Sequence, residues 1–199
     1  MEKEKVKSKL FENLQGLTKI ESDIHNHLMW LYMFSTLKKA EVIVELGVRT
    51  GSSTQAFLAA CAAMPNAKLY SYDIQKIKAP KWSKKYAMLN RIPEFVGNPD
   101  CDFWKFEIGD ALEVHNHWED NSIDILFIDD NHEPDHIYKE LNFWSSKVKN
   151  DGYILMHDVC QPGSDLINGI LKFQKENSCY EYAQCSCHNG LGIIFKPNK

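Results

Sequence analysis

The chain has 199 residues, of which 44% are hydrophobic and 25% charged, and a formal net charge of −4. That size and apolar share fill one core and fall short of two ordinary domains, so residues 1–199 are expected to form a single domain. With no basic excess, nucleic acid is excluded as a default partner; the charged start MEKEKVKSKLFENL carries no apolar run long enough for an export signal or a membrane span, which points to the cytoplasm.

An N-terminal helical segment is expected over 1–40. Ser22 and Asp23 are placed to cap a helix in which Ile24, Leu28, Leu31, Phe34 and Leu37 recur at helical spacing. His25 and His27, beside that cap, read as exposed. The α/β core, 41–199, opens with EVIVEL (41–46), an unbroken β-rich run containing Glu45. A turn with Gly47 and Gly51 follows, then Ser52 and Ser53, then the helix-prone TQAFLAACAAM. KLYSYDI (68–74) is a second strand that closes near Asp73. Residues 76–100 hold lysines and aromatic residues without a firm period and read as a helix or irregular lid. DFWKFEIGDA (102–111) is a third strand stopping at Gly109 and Asp110. Trp82, Tyr86, Trp104 and Trp118 are read as core packing before pocket lining. His115 and His117 belong to a solvated loop.

SIDILFIDD (122–130) is a buried strand ending in Asp129 and Asp130, and Pro134 opens a helix with Ile137, Leu141, Trp144 and Val148 on its apolar face. DGYILMHDV (151–159) is a fifth strand ending in His157 and Asp158, and GSDLINGILKFQKE (163–176) is a helix. CYEYAQCSC, a turn at His188, Asn189 and Gly190, and LGIIFK close the chain as an antiparallel hairpin. The six cysteines form no C-x-x-C pair and read as reduced thiols. Cys185 and Cys187, taken as C-x-C on a strand, lack the turn that structural zinc sites use, so the spacing argues against zinc.

This alternation predicts a doubly wound, mostly parallel seven-stranded sheet with helices on both faces and an antiparallel last strand. Such sheets bind ligands at the carboxyl ends of their strands, where Glu45, Asp73, Asp110, Asp129 and the pair His157 and Asp158 all fall. In the turn, three residues separate Gly47 from Gly51, so the dinucleotide pattern G-x-G-x-x-G is absent, and no lysine follows Gly51 to make a phosphate loop. The turn suits a ligand that needs close backbone approach and a helix N-terminus without a phosphate cradle. Asp73 is placed to accept both hydroxyls of a ribose.

Four segments together, E-L-G-V-R-T-G (45–51), Asp73 in YSYDI, Asp110 in IGDAL and the stretch from DILFIDDNH to LMHDV (124–159), resemble the class I S-adenosylmethionine-dependent methyltransferases. Within them the chain looks most like a small stand-alone group whose fourth strand ends F-I-D-x-x-H and whose fifth ends H-D, a group distantly similar to the metal-assisted catechol-type O-methyltransferases. The resemblance implies that Glu45, Gly47 and Gly51 hold the methionine portion of S-adenosyl-L-methionine, with Ser52 or Ser53 near its carboxylate. It implies that Asp73 takes the ribose, that Asp110 and Ala111 border the adenine, and that the N-terminal segment can fold over the site. It also implies that Asp129, His157 and Asp158 stand where the metal-assisted enzymes bind a divalent ion, here Mg2+ or Mn2+, with His132 as the base. The metal enzymes carry aspartate and asparagine in place of this histidine and aspartate, and lysine in place of His132. Without a metal, Asp129 orients the cofactor, His157 and Asp158 cap the following helix, and His132 shapes the pocket. The expected activity is O-methylation of a small-molecule or glycan-like acceptor; the alternatives are an inactive cofactor-binding partner or sensor module, or another nucleotide-using α/β transferase. The sequence leaves a homo-oligomer open.

Overall fold

The computed structural model describes residues 2–77 and 101–198. Apart from its first two residues, the lid expected over 76–100 lies outside them, as do Trp82 and Tyr86. Among the described residues there are seven strands: β1 (Val42–Leu46), β2 (Lys68–Asp73), β3 (Trp104–Ile108), β4 (Ile123–Ile128), β5 (Val148–His157), β6 (Glu181–Cys185) and β7 (Leu191–Phe195). They form one sheet in the order β3-β2-β1-β4-β5-β7-β6. The first five are parallel, and β7 runs antiparallel to both β5 and β6. Among the described residues the helices are α1 (Glu2–Leu17), α2 (Leu28–Lys38), α3 (Ser52–Ala63), α4 (Ala111–Val114), α5 (Pro134–Trp144) and α6 (Leu166–Glu176). None is long and apolar enough to cross a membrane.

Every residue of β4 is buried, as the centre of a sheet covered on both faces requires. Its one acid, Asp124, is held by the backbone N–H groups of Glu41 (3.0 Å) and Val42 (2.9 Å) and by Lys149 (2.9 Å). Strand alternation then sorts the core. Ile43, Ile125 and Phe127 face α1, α2 and α3, while Val44, Leu46, Leu126 and Ile128 face α4, α5 and α6. Glu45 follows Ile43 to the first face, which turns its carboxylate under the start of α3.

The N-terminal segment is helical, as expected over 1–40, and differs in detail. Leu10, Leu14 and Leu17 are buried at helical spacing and pack α1 onto the sheet side that also holds Phe57 of α3, although the lysines and glutamates around them disguise that stripe in the sequence. Gln55 donates to the Leu10 carbonyl at 2.8 Å, fastening the two helices. The second helix starts at Leu28 rather than at Ser22, with His27 as its N-cap, and Leu37 is 77% exposed instead of joining the apolar face. Residues 23–27 form a bend and a turn instead. Val148, expected to continue a helix, begins β5.

Candidate active site

A cavity of about 870 Å3 opens at the carboxyl ends of the parallel strands. One wall is the turn after β1, with Gly47, Val48, Arg49, Thr50, Ser52 and Ser53. Tyr72 to Gln75 and Gly109 to Ala111 form the next, and Asp129 to His132 with His136 and Asp158 form the far wall. Glu21, Ser22, Asp23 and Ile24 close it from the N-terminal side.

The turn is held in place by its neighbours. Gly47, Arg49 and Gly51 have φ of 85°, 52° and 83°. A Cβ on Gly47 would sit 2.2 Å from the Asp129 carbonyl oxygen, so the meeting of the ends of β1 and β4 already requires a glycine at this position on the cavity wall. Asp73 fastens the turn from the other side: its Oδ2 accepts the N–H groups of Val48 (3.0 Å) and Arg49 (2.9 Å), and its Oδ1 accepts that of Gln75 (2.8 Å). A carboxylate offers about four acceptor positions, so Oδ1 retains room for a hydroxyl. Asp110 caps α4, accepting the Leu112 N–H at 2.8 Å, and lies with Ala111 on the cavity wall.

Glu45 does not line the cavity. It is fully buried, and its carboxyl accepts the hydroxyls of Ser53 (2.6 Å), Thr54 (2.8 Å) and Ser71 (2.6 Å). Burial pushes it up to about 7, against the pull of those hydroxyls. It therefore reaches the cavity only through Ser53, at the N-terminus of α3.

On the far wall, His132 and Asp158 meet: Nε2 lies 2.9 Å from Oδ2, with the histidine half-exposed and the aspartate buried. Asp158 Oδ1 also receives Asn189 at 2.7 Å and His157 Nδ1 at 3.2 Å. Burial alone would raise the Asp158 carboxyl, but these three donors hold it far below the usual carboxylate range. The Asp158 hydrogen bond lifts His132 above the ordinary histidine value, with burial opposing. His157 stands behind the wall. Its Nδ1 also lies 3.4 Å from Asp129 Oδ1, and its Nε2 shares a hydrogen bond of 3.2 Å with His27 Nδ1. Burial would lower it, yet Asp129 and Asp158 outweigh burial and lift it to about 10.

The ligand set Asp129, His157 and Asp158 is thus not presented to the cavity as a unit, because both ring nitrogens of His157 are turned to protein. The cluster whose donor atoms do lie together is Asp129, His132 and Asp158, within 4.8 Å of one another. A Mg2+ or Mn2+ ion there would meet one imidazole and two carboxylates, a poor match to the oxygen-rich octahedron those ions prefer.

Several wall residues escaped sequence reasoning. Asp23, expected as a helix cap, instead pairs with Arg49 at 3.1 Å across the cavity mouth, an exposed bridge worth at most about 1 kcal/mol. His136 lies 3.6 Å from Asp130 and 3.7 Å from the fully buried Glu140; the i, i+4 pair His136 and Glu140 in PDHIYKE was the available signal. His27, read as exposed, is fully buried. His115 stacks on Phe143 with ring centroids 4.6 Å apart, while His117 is exposed as expected. Trp104 donates to Ser71 at 3.1 Å and Trp118 packs edge-on against Tyr70, so both serve the core.

Solved structures share this architecture. A methyltransferase from Geobacter sulfurreducens is similar at a TM-score of 0.65 and 14% identity, covering 91% of this chain and 81% of that one. An SAH-bound methyltransferase from Podospora anserina gives 0.64 and 17%, covering 96% and 88%. The O-methyltransferase TomG from Streptomyces achromogenes, involved in tomaymycin synthesis and solved in complex with SAM, gives 0.62 and 14%, covering 96% and 90%. No match is found among curated protein sequences. The profile of a family described as methyltransferase domain matches residues 44–159, from β1 through the turn, Asp73, Asp110 and the His132 wall to the residue after Asp158. By that match, which spans more than half of its length, the chain belongs to the methyltransferase-domain family.

Proposed function

We propose that the protein transfers the methyl group of S-adenosyl-L-methionine to a hydroxyl of a small-molecule acceptor, with His132 as the base. The observation that carries this reading is one cavity in which the turn after β1, Asp73 and Asp110 face the His132–Asp158 pair. SAM and SAH are the ligands named for the fold neighbours from Streptomyces achromogenes and Podospora anserina, and the first of these is an O-methyltransferase.

The residues present fit such a cofactor. Ser52 and Ser53 stand at the N-terminus of α3, where a carboxylate gains about 0.3–1 kcal/mol from the helix dipole. Asp73 has acceptor capacity for a ribose hydroxyl, and Asp110 and Ala111 offer an edge for the adenine. The cofactor supplies a methyl on sulfonium, already a good leaving group. The chain must then align the acceptor and take its proton.

His132 is built for that task. Its Nε2–H donates to Asp158, which leaves Nδ1 as the nitrogen that accepts the proton. Asp158 and Asp129 bear negative charge against the single positive charge of His157, so the wall favours the imidazolium that forms as the acceptor hydroxyl is deprotonated.

The test is turnover against a panel of hydroxyl-bearing small molecules, with SAH release followed by mass spectrometry, for the wild type and His132→Ala. A positioned base contributes about 10²- to 10⁴-fold, so the variant should lose that much in kcat while binding SAH as before. Unchanged turnover in His132→Ala, or transfer to nitrogen alone, contradicts the assignment.

A further inference from the structure

Behind the far wall, outside the cavity, His27 and two cysteines come together. His27 Nε2 lies 3.2 Å from Cys187 Sγ, Cys187 Sγ lies 3.0 Å from Cys185 Sγ, and all three donor atoms fall within 4.8 Å of one another. We propose that His27, Cys185 and Cys187 bind a zinc ion that ties the N-terminal wall of the cavity to the C-terminal hairpin.

Cys185 and Cys187 do not share a strand. β6 ends at Cys185, so Cys187 already lies in the bend that leads into the turn at His188 and Asn189, free of the pleat that would fix its direction. Two thiolates and an imidazole are a soft donor set, suited to zinc and unsuited to magnesium or calcium. Zinc bonds of about 2.3 Å to sulfur and about 2.0 Å to nitrogen place tetrahedral donors roughly 3.5–3.8 Å apart. Reaching that spacing takes an opening of about 0.8 Å between the sulfurs and about 0.3 Å at the imidazole, and Cys187, exposed and outside the strand, is the residue able to move.

His27 is fully buried, with its Nε2 directed at the Cys187 thiol. Its Nδ1 lies 3.2 Å from His157 Nε2, a contact that fixes the ring with Nε2 toward the cysteines. Three protein ligands would leave a fourth position for water, which the exposure of Cys187 allows. The ion would act beside an existing link, since Asn26 already hydrogen-bonds His188 between the same two segments. Residues 21–24, immediately before His27, form the N-terminal wall of the cavity, so an ion here holds that wall closed.

The test uses the full chain, freed of metal and kept reduced, then titrated with cobalt(II) as a spectroscopic substitute for zinc. One equivalent should raise a thiolate-to-cobalt charge-transfer band with tetrahedral d–d bands, zinc should displace it, and zinc should raise the melting temperature. Cys187→Ser, at an exposed position, should lose the band, Cys185→Ser should weaken or lose it, and Cys179→Ser, an exposed cysteine outside the cluster, should keep it. Absence of a thiolate band in the wild type, or an unaltered band in Cys187→Ser, overturns the proposal. Recovery of Cys185 and Cys187 as a disulfide from protein kept in reduced glutathione also overturns it, making the pair a redox couple.

Discussion

Replacing Glu45 with glutamine should alter how stability depends on pH, in a direction set by the burial of this acid. Burial lifts its carboxyl from 4.5 to about 7 although three hydroxyls stabilise the anion. Between those values the native protein keeps a proton that the unfolded chain has released. Stability therefore falls as pH rises through that window and levels off above about 7. At about 1.4 kcal/mol per pH unit, the loss from this one group comes to about 3 kcal/mol. Glutamine does not titrate, and Ser53, Thr54 and Ser71 can turn their hydroxyls to suit either of its polar atoms. Urea unfolding of both proteins at about pH 5 and about pH 8 should show the glutamine variant gaining about 2–3 kcal/mol on the wild type between the two. His157 and His136, each lifted to about 10, titrate in both proteins and cancel in the difference. Parallel pH curves for the two proteins would refute the reasoning and mean that the carboxylate is accommodated as an anion.

Three further outcomes follow from the site. Gly47→Ala should destabilise by at least about 1–3 kcal/mol, read from denaturant midpoints, because a Cβ there meets backbone at a left-handed φ of 85°. Asp158→Asn should move the acid limb of the kcat/KM profile to lower pH: the base works when neutral, Asp158 raises its pKa, and removing that charge lets His132 lose its proton sooner. Adding magnesium or manganese to metal-free enzyme should leave turnover unchanged, since His157 does not face the cavity; a metal-dependent rise would reinstate the cation site at Asp129 and Asp158.

The parallel core was legible because each strand pairs a β-rich run with an acid at its mouth, and those acids converge where the chain order places them. Their individual tasks were less so. Spacing puts Glu45 beside the turn, but alternation along β1 sends its carboxyl under α3 onto three hydroxyls. His157 and Asp158 are neighbours in sequence and project differently: Asp158, at a left-handed φ of 60°, reaches the cavity, and His157 stays behind it. Helix α1 falls within the helical segment expected over 1–40, but its packing face was hidden because the apolar stripe is only Leu10, Leu14 and Leu17 amid charge. His27 looked exposed because nothing local announces its partners, which lie on β5 and in the last turn.

Calorimetric titration with S-adenosylhomocysteine tests the central claim most directly, because it asks whether the turn, Asp73 and Asp110 form the cofactor seat before any acceptor is known. One site per chain is expected, with affinity lost in Asp73→Ala and kept in His132→Ala. Saturable binding that ignores Asp73→Ala, or no heat at all from folded protein, would contradict it.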